Sequence, residues 1–140
     1  MHVAVVIEHQ QLQRFQALLR ADRDPRDLIQ NAVQLMREAC RAPESTAWRE
    51  IQVAARTDRE LREGIRDSLL RFETAILELA LSLPNAESIE PKRLGMVLLS
   101  LLHMFDSEAV TENTLHTDFI EDMRHDWACE VLASELGIRA

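Results

Sequence analysis

Residues 24–41 read DPRDLIQNAVQLMREACR, and the spacing of their apolar side chains decides the fold class. Leu28/Ile29, Ala32/Val33, Leu35/Met36 and Ala39/Cys40 recur every three to four positions, the repeat that lines them up on one stripe of an α-helix. The ends are marked as well. Asp24 can accept backbone hydrogen bonds as the cap, Pro25 suits the first helical position, and Asp27 favours the positive end of the helix dipole. Pro43 stops the helix, because it disfavours a helical conformation at Ala42 and donates no hydrogen bond.

The same reading extends in both directions. Ahead of this helix, Val5, His9, Leu12, Phe15 and Leu19 share one stripe and predict a first helix over about Val3 to Ala21. After Pro43 a short helix is expected over about Glu44 to Arg56. Thr57 and Glu60 then have the spacing of a capping box, opening a long helix whose inner face is Leu61, Ile65, Leu69, Phe72, Ile76, Leu79 and Leu83. Gly64 weakens its first part slightly. Pro84 to Pro91 is a loop by composition, and a fifth helix follows from about Glu90 to Thr111. Thr117 and Asp118 cap a sixth, which ends near Gly137, a residue suited to the left-handed position after a helix.

Composition agrees with an all-α fold. Of 140 residues, 46% are apolar and 29% charged, a balance that fits one folded domain over 1–140. There are three glycines and no tyrosine, and no run of β-branched or aromatic residues alternates with period two. The net charge of -8 repels a phosphate backbone, so the chain alone is not expected to bind DNA. Arg20, Arg23 and Arg26 are the nearest thing to a basic cluster, and the interleaved Asp22, Asp24 and Asp27 largely cancel it. Cys40 and Cys129 have no CxxC spacing and read as free thiols of a cytoplasmic protein. Met1 to Ile7 has no preceding basic residue and is interrupted by Glu8, unlike a signal peptide or a membrane span.

The last two helices carry more apolar positions than one packing face requires. Leu94 to Phe105 is interrupted only by Gly95, Ser100 and His103, and the final helix adds Phe119, Ile120, Met123, Trp127, Val131, Leu132 and Leu136. If Leu98, Leu101, Phe105, Ile120, Met123, Trp127 and Val131 stayed partly in water, the patch would exceed what soluble monomers tolerate. Two such helices from each of two copies would close it as an intermolecular four-helix bundle, a homodimer. Burial of both helices inside one subunit is the alternative.

WREIQVAARTDREL, residues 48–61, resembles the C-terminal regulatory domain of the TetR family of transcriptional regulators, where a helix ending in an Ala-Ala-Arg-Thr-Asp-type run passes into a long helix. The order of helices across nearly the whole chain is also similar. Arg59 departs from the pattern, standing where many members have proline, but leaves the Thr57 and Glu60 pair in place. The helix-turn-helix domain with which members read DNA would precede the first helix. Either the chain is a fragment of a longer regulator, or it is a truncated relative that senses or associates without an operator.

The resemblance implies an effector cavity among the first, long and fifth helices, and a homodimer. A small-molecule pocket needs apolar walls and a few placed polar groups, and the side chains suited to it are Phe15, Trp48, Gln52, Phe72, Ile76, Met96, Ser100 and His103. His103 stands out because its neutral ring can donate and accept at once, although a histidine on an apolar helix also serves as a bonded core residue. Glu121 or Asp122 with His125 has the spacing to share a metal, but no second such pair exists, and a solvated charged face explains them better. No glycine-rich phosphate loop or serine elbow is present. The reading is a non-enzymatic sensor of a small apolar effector, without cofactor or metal. Its rival is a helical protein–protein interaction module with no ligand.

Overall fold

The computed structural model describes residues 13, 14, 17, 24–112, 114 and 117–138. They form five α-helices and no strand: α1 Pro25–Arg41, α2 Pro43–Ala55, α3 Arg59–Leu81, α4 Pro91–Thr111 and α5 Asp118–Glu135, with a 3-10 turn at Ala86–Ser88. Six helices were anticipated. The one placed at Val3 to Ala21 lies, except for three positions, outside the described residues.

Each boundary has a local cause. Asp24 accepts a 3.0 Å bond from the Arg26 amide, and Pro25 occupies the first turn of α1. Ala42 is extended, as the residue before a proline prefers, so α1 ends and α2 begins with Pro43. The start of α3 differs from the capping box. Asp58, not Thr57, is the cap, accepting a 3.0 Å bond from the Leu61 amide, while the Thr57 hydroxyl turns back to the Ala54 carbonyl. The adjacent carboxylate is a charged acceptor at the positive end of the helix, and a charge-assisted bond outcompetes a hydroxyl. After α5, Gly137 takes a left-handed φ of 67°, letting its amide reach Ser134 and that of Ile138 reach Ala133. Asn85, also left-handed, donates from Nδ2 to the Leu136 carbonyl and ties the turn after α3 to the end of α5.

α4 runs through the centre. It packs mainly on α3 and α1, while α5 rests more on α1 than on α4. Leu94, Val97, Leu98, Leu101 and Phe105 join Ile29, Ala32, Val33, Met36, Leu79, Ala80, Ala128, Leu132 and Leu136 in one core. By length and composition α4 is apolar enough to cross a membrane, and its contacts with α3, α1 and α5 bury part of that apolar content, with Met96 and Val110 left exposed. At Gly95 the approach of α3 is close, since an added Cβ would stand 3.1 Å from Leu77 Cδ1.

This packing corrects part of the anticipated subunit contact. Leu98, Leu101 and Phe105 are buried inside the single chain, Phe105 to 1% exposure, and need no second copy to leave water. Val131 is half-buried against the same core. Ile120, Met123 and Trp127 do face outward, together with Phe119.

Candidate ligand-binding site

A cavity of about 160 Å³ lies where the end of α1 meets α2, α3 and α4. Trp48 and Gln52 enter it from α2, one turn apart on the same face; Phe72 comes from α3 and His103 from α4. Four of the eight anticipated ligand-binding residues are thus brought together. Ile76 lines a smaller void of about 40 Å³ with Leu35, Met36, Leu79 and Leu98. The two voids share Ala39 and Leu102, so an almost wholly apolar annex adjoins the main chamber. Two anticipated residues are misplaced. Met96 is half-exposed, Ser100 is exposed, and the Ser100 hydroxyl meets Met96 Sδ at 3.6 Å on the outer side of α4. Phe15 lies outside the described residues.

Gln52 and His103 were anticipated, but the charged pair of the chamber, Arg49 with Asp106, escaped sequence reasoning. Arg49 Nη1 donates to Asp106 Oδ1 at 2.8 Å and to the Cys40 carbonyl at 2.9 Å, and its Nη2 donates to Thr46 Oγ1 at 3.2 Å. One guanidinium therefore closes the C-terminal end of α1 and ties it to both α2 and α4. The Ser45 hydroxyl supplies a second tie, donating to the Ala39 carbonyl at 2.6 Å. Both serve carbonyls in the last turn of α1, where intrahelical donors run out; that of Ala39 also accepts from the Ala42 amide at 3.3 Å. The spacing within α2 offered a signal for this: Ser45 lies three positions before Trp48 and four before Arg49, and Gln52 lies four after Trp48 and three after Arg49, so the four side chains cluster on one side of the helix.

Cys40 also lines the chamber. Its thiol lies 3.7 Å from the Leu102 carbonyl, and burial, reinforced by the negative charge of Asp106, pushes its pKa far above the usual thiol range. It stays protonated at neutral pH and is no nucleophile. Cys129 is likewise free, with its pKa raised to about 11, first by burial and then by Asp126 and Glu130.

Beyond the chamber, α1, α4 and α5 are joined by ion pairs. Arg37 Nε meets Glu108 Oε1 at 2.9 Å, and its Nη2 meets Glu121 Oε2 at 3.1 Å. Arg41 reaches Glu108 at 2.9 Å, Glu112 at 3.0 Å and Glu121 at 3.4 Å. Arg124 completes the set, 3.5 Å from the second oxygen of Glu108. Three cations balance three carboxylates, and Glu108, with a side chain 1% exposed, is surrounded by all three guanidinium groups. Sharing a partner already held in place reduces the side-chain entropy lost per contact, so such a network holds helices in register better than isolated surface pairs. Glu121, weighed above as a metal ligand with His125, is taken up by these arginines. Among the described residues no group of three or more His, Cys, Asp or Glu side chains is arranged to hold a metal ion.

The chain is 26% identical over 99 residues to proteins of Mycobacterium bovis and of two strains of Mycobacterium tuberculosis, each named as an uncharacterised HTH-type transcriptional regulator. The match covers 71% of this chain and 51% of each relative, so the chain spans about half the length of the curated relatives it matches. No family model and no solved structure matches it. The relatives found are thus named as regulators of transcription and not as enzymes.

Proposed function

We propose that this chain is the effector-sensing and dimerisation domain of a TetR-type transcriptional regulator acting in the cytoplasm, and that its effector is a small, largely apolar molecule. One observation carries the reading: a chamber walled by four helices, with two aromatic side chains and a few fixed polar groups, in a chain whose relatives are named as transcriptional regulators. The chamber is small. An engineered void of about 150 Å³ holds benzene, so a single ring with a short arm is the right scale.

The chamber and the ion-pair network lie on the same two helices, which gives ligand binding a route outward. Ala39 and Cys40 of α1 and Leu102 and Asp106 of α4 line the chamber, while Arg37, Arg41 and Glu108, within a turn or two of them, hold α5. A ligand that prefers one spacing of α1 and α4 biases the position of α5, and coupling requires unequal affinity for the two arrangements. In a homodimer built on the outward apolar face of α5, that bias would change the spacing of two helix-turn-helix heads in the intact regulator. The negative charge of this domain leaves DNA contact to those heads.

Thermal-shift screening with single-ring compounds tests the reading. A true ligand at one hundred times its dissociation constant stabilises the fold by about 2.7 kcal/mol, and the shift grows with concentration. No shift across such a set would overturn the sensor assignment. The exposed Phe119, Ile120, Met123 and Trp127 would then favour the second reading, a helical interaction module without ligand.

A further inference from the structure

The charges around the chamber are unequal, and the imbalance bears on what it binds. Among the described residues its wall carries one permanent cation, Arg49, and two carboxylates, Asp106 and Glu73. Arg49 is already held in place by three bonds, to Asp106, to the Cys40 carbonyl and to Thr46. Drawing it toward an anionic ligand would strip Asp106 of its counter-ion and leave the end of α1 without its donor, and an unpaired polar group costs more than a bond to it is worth. Glu73 differs. It stands exposed on α3 at the rim, and no hydrogen-bond or ion-pair partner for it is found among the described residues.

Among the described residues, one negative charge without a paired cation therefore borders a space walled by Trp48 and Phe72, rings whose faces attract cations. The adjoining annex around Ile76 and Leu98 is almost wholly apolar. A net charge of -8 on the whole chain adds a field of the same sign. We infer that the effector is a cationic amphiphile, an aromatic or alkyl body bearing one ammonium group, with the ammonium beside Glu73 and the apolar body directed toward the annex. The inference rests on the reading of this chamber as a ligand site.

Three probes of matched shape separate the outcomes: phenethylamine, phenethyl alcohol and phenylacetate, titrated calorimetrically at low salt into the full chain and into Glu73→Gln. Because Glu73 is exposed and has no partner among the described residues, the variant should fold as the parent does, which circular dichroism checks. The amine should bind at least about fivefold more tightly than the alcohol, and phenylacetate most weakly, the scale of one partly exposed ion pair with a cation–π contribution. In Glu73→Gln the advantage of the amine should fall below about twofold while the affinity for the alcohol is unchanged. An alcohol or carboxylate that matches the amine, or an amine preference that survives Glu73→Gln, would overturn the charge assignment and leave the ligand site standing. Binding by none of the three would overturn both.

Discussion

α1 and α5 lie against each other and are built in opposite senses. In α1 the stripe Leu28, Ile29, Ala32, Val33, Met36 and Cys40 is buried, and arginines and glutamines flank it. In α5 the interior takes Ala128, Leu132 and the carboxylate-bearing Glu121, which is 6% exposed, while Trp127 is 52% exposed and Phe119 and Met123 still more so. A helix that buries a glutamate and presents a tryptophan does not have its outward face shaped by water. Phe119, Ile120, Met123 and Trp127 fall within about 100° of arc at helical spacing and form one stripe. α1 is finished within one subunit; α5 keeps a second apolar face exposed, and it is on this face that the homodimer is proposed.

The contrast is strongest in the response of the two helices to truncation. Ile29→Ala in α1 removes a side chain 2% exposed and should cost about 2–5 kcal/mol of unfolding free energy, read from urea denaturation. Trp127→Ala should leave the intrinsic stability of the subunit almost unchanged when measured at high dilution, and a loss like that at Ile29 would place Trp127 in the monomer core. Next in size is Glu108→Ala. It removes the carboxylate that Arg37, Arg41 and Arg124 share, and because Arg37 and Arg41 keep Glu121 and Glu112 and all three arginines retain contact with water, the loss should be about 2–3 kcal/mol, below that for a fully buried pair. Asp58→Ala removes the cap of α3 and should cost about 1 kcal/mol, whereas Thr57→Ala should cost little, reversing what a Thr57 capping box would give. Smallest is Gly64→Ala, expected to stabilise by roughly 0.5–1 kcal/mol, because an added Cβ there meets nothing within 4 Å.

How far these features were legible in the sequence follows from what kind of signal each one leaves. Boundaries written in local chemistry, at Asp24-Pro25, Pro43, Pro91 and Gly137, could be read directly, because proline geometry and capping act within a few residues. Thr57 and Asp58 are adjacent acceptors, and the capping-box spacing of Thr57 to Glu60 pointed to the wrong one of the two. The phase of α4 was harder. With apolar residues almost all round, its pattern does not reveal which side meets α1 and α3, so Leu98, Leu101 and Phe105 were assigned to a subunit contact and Met96 and Ser100 to the chamber. Trp48, Gln52 and Phe72, half-buried, were legible as aromatic or polar side chains suited to a pocket, and His103, which lines the chamber from an exposed position on α4, was legible as a polar break in an apolar run. Arg49 with Asp106, separated by 57 positions, leaves no periodic trace. The network did leave one: Arg37 and Arg41 on α1, and Glu108 and Glu112 at the end of α4, have the same spacing of four, so two rows of opposite charge can mesh.

The face of α5 is tested most directly by light scattering on dilute, folded protein. If a second copy covers Phe119, Met123 and Trp127, the mass should be twice the 16.1 kDa of one chain, and Trp127→Glu should return it to a single chain without loss of helicity. A parent chain that stays at 16.1 kDa across the concentration range, with Trp127 fluorescence unaltered by dilution, would contradict it.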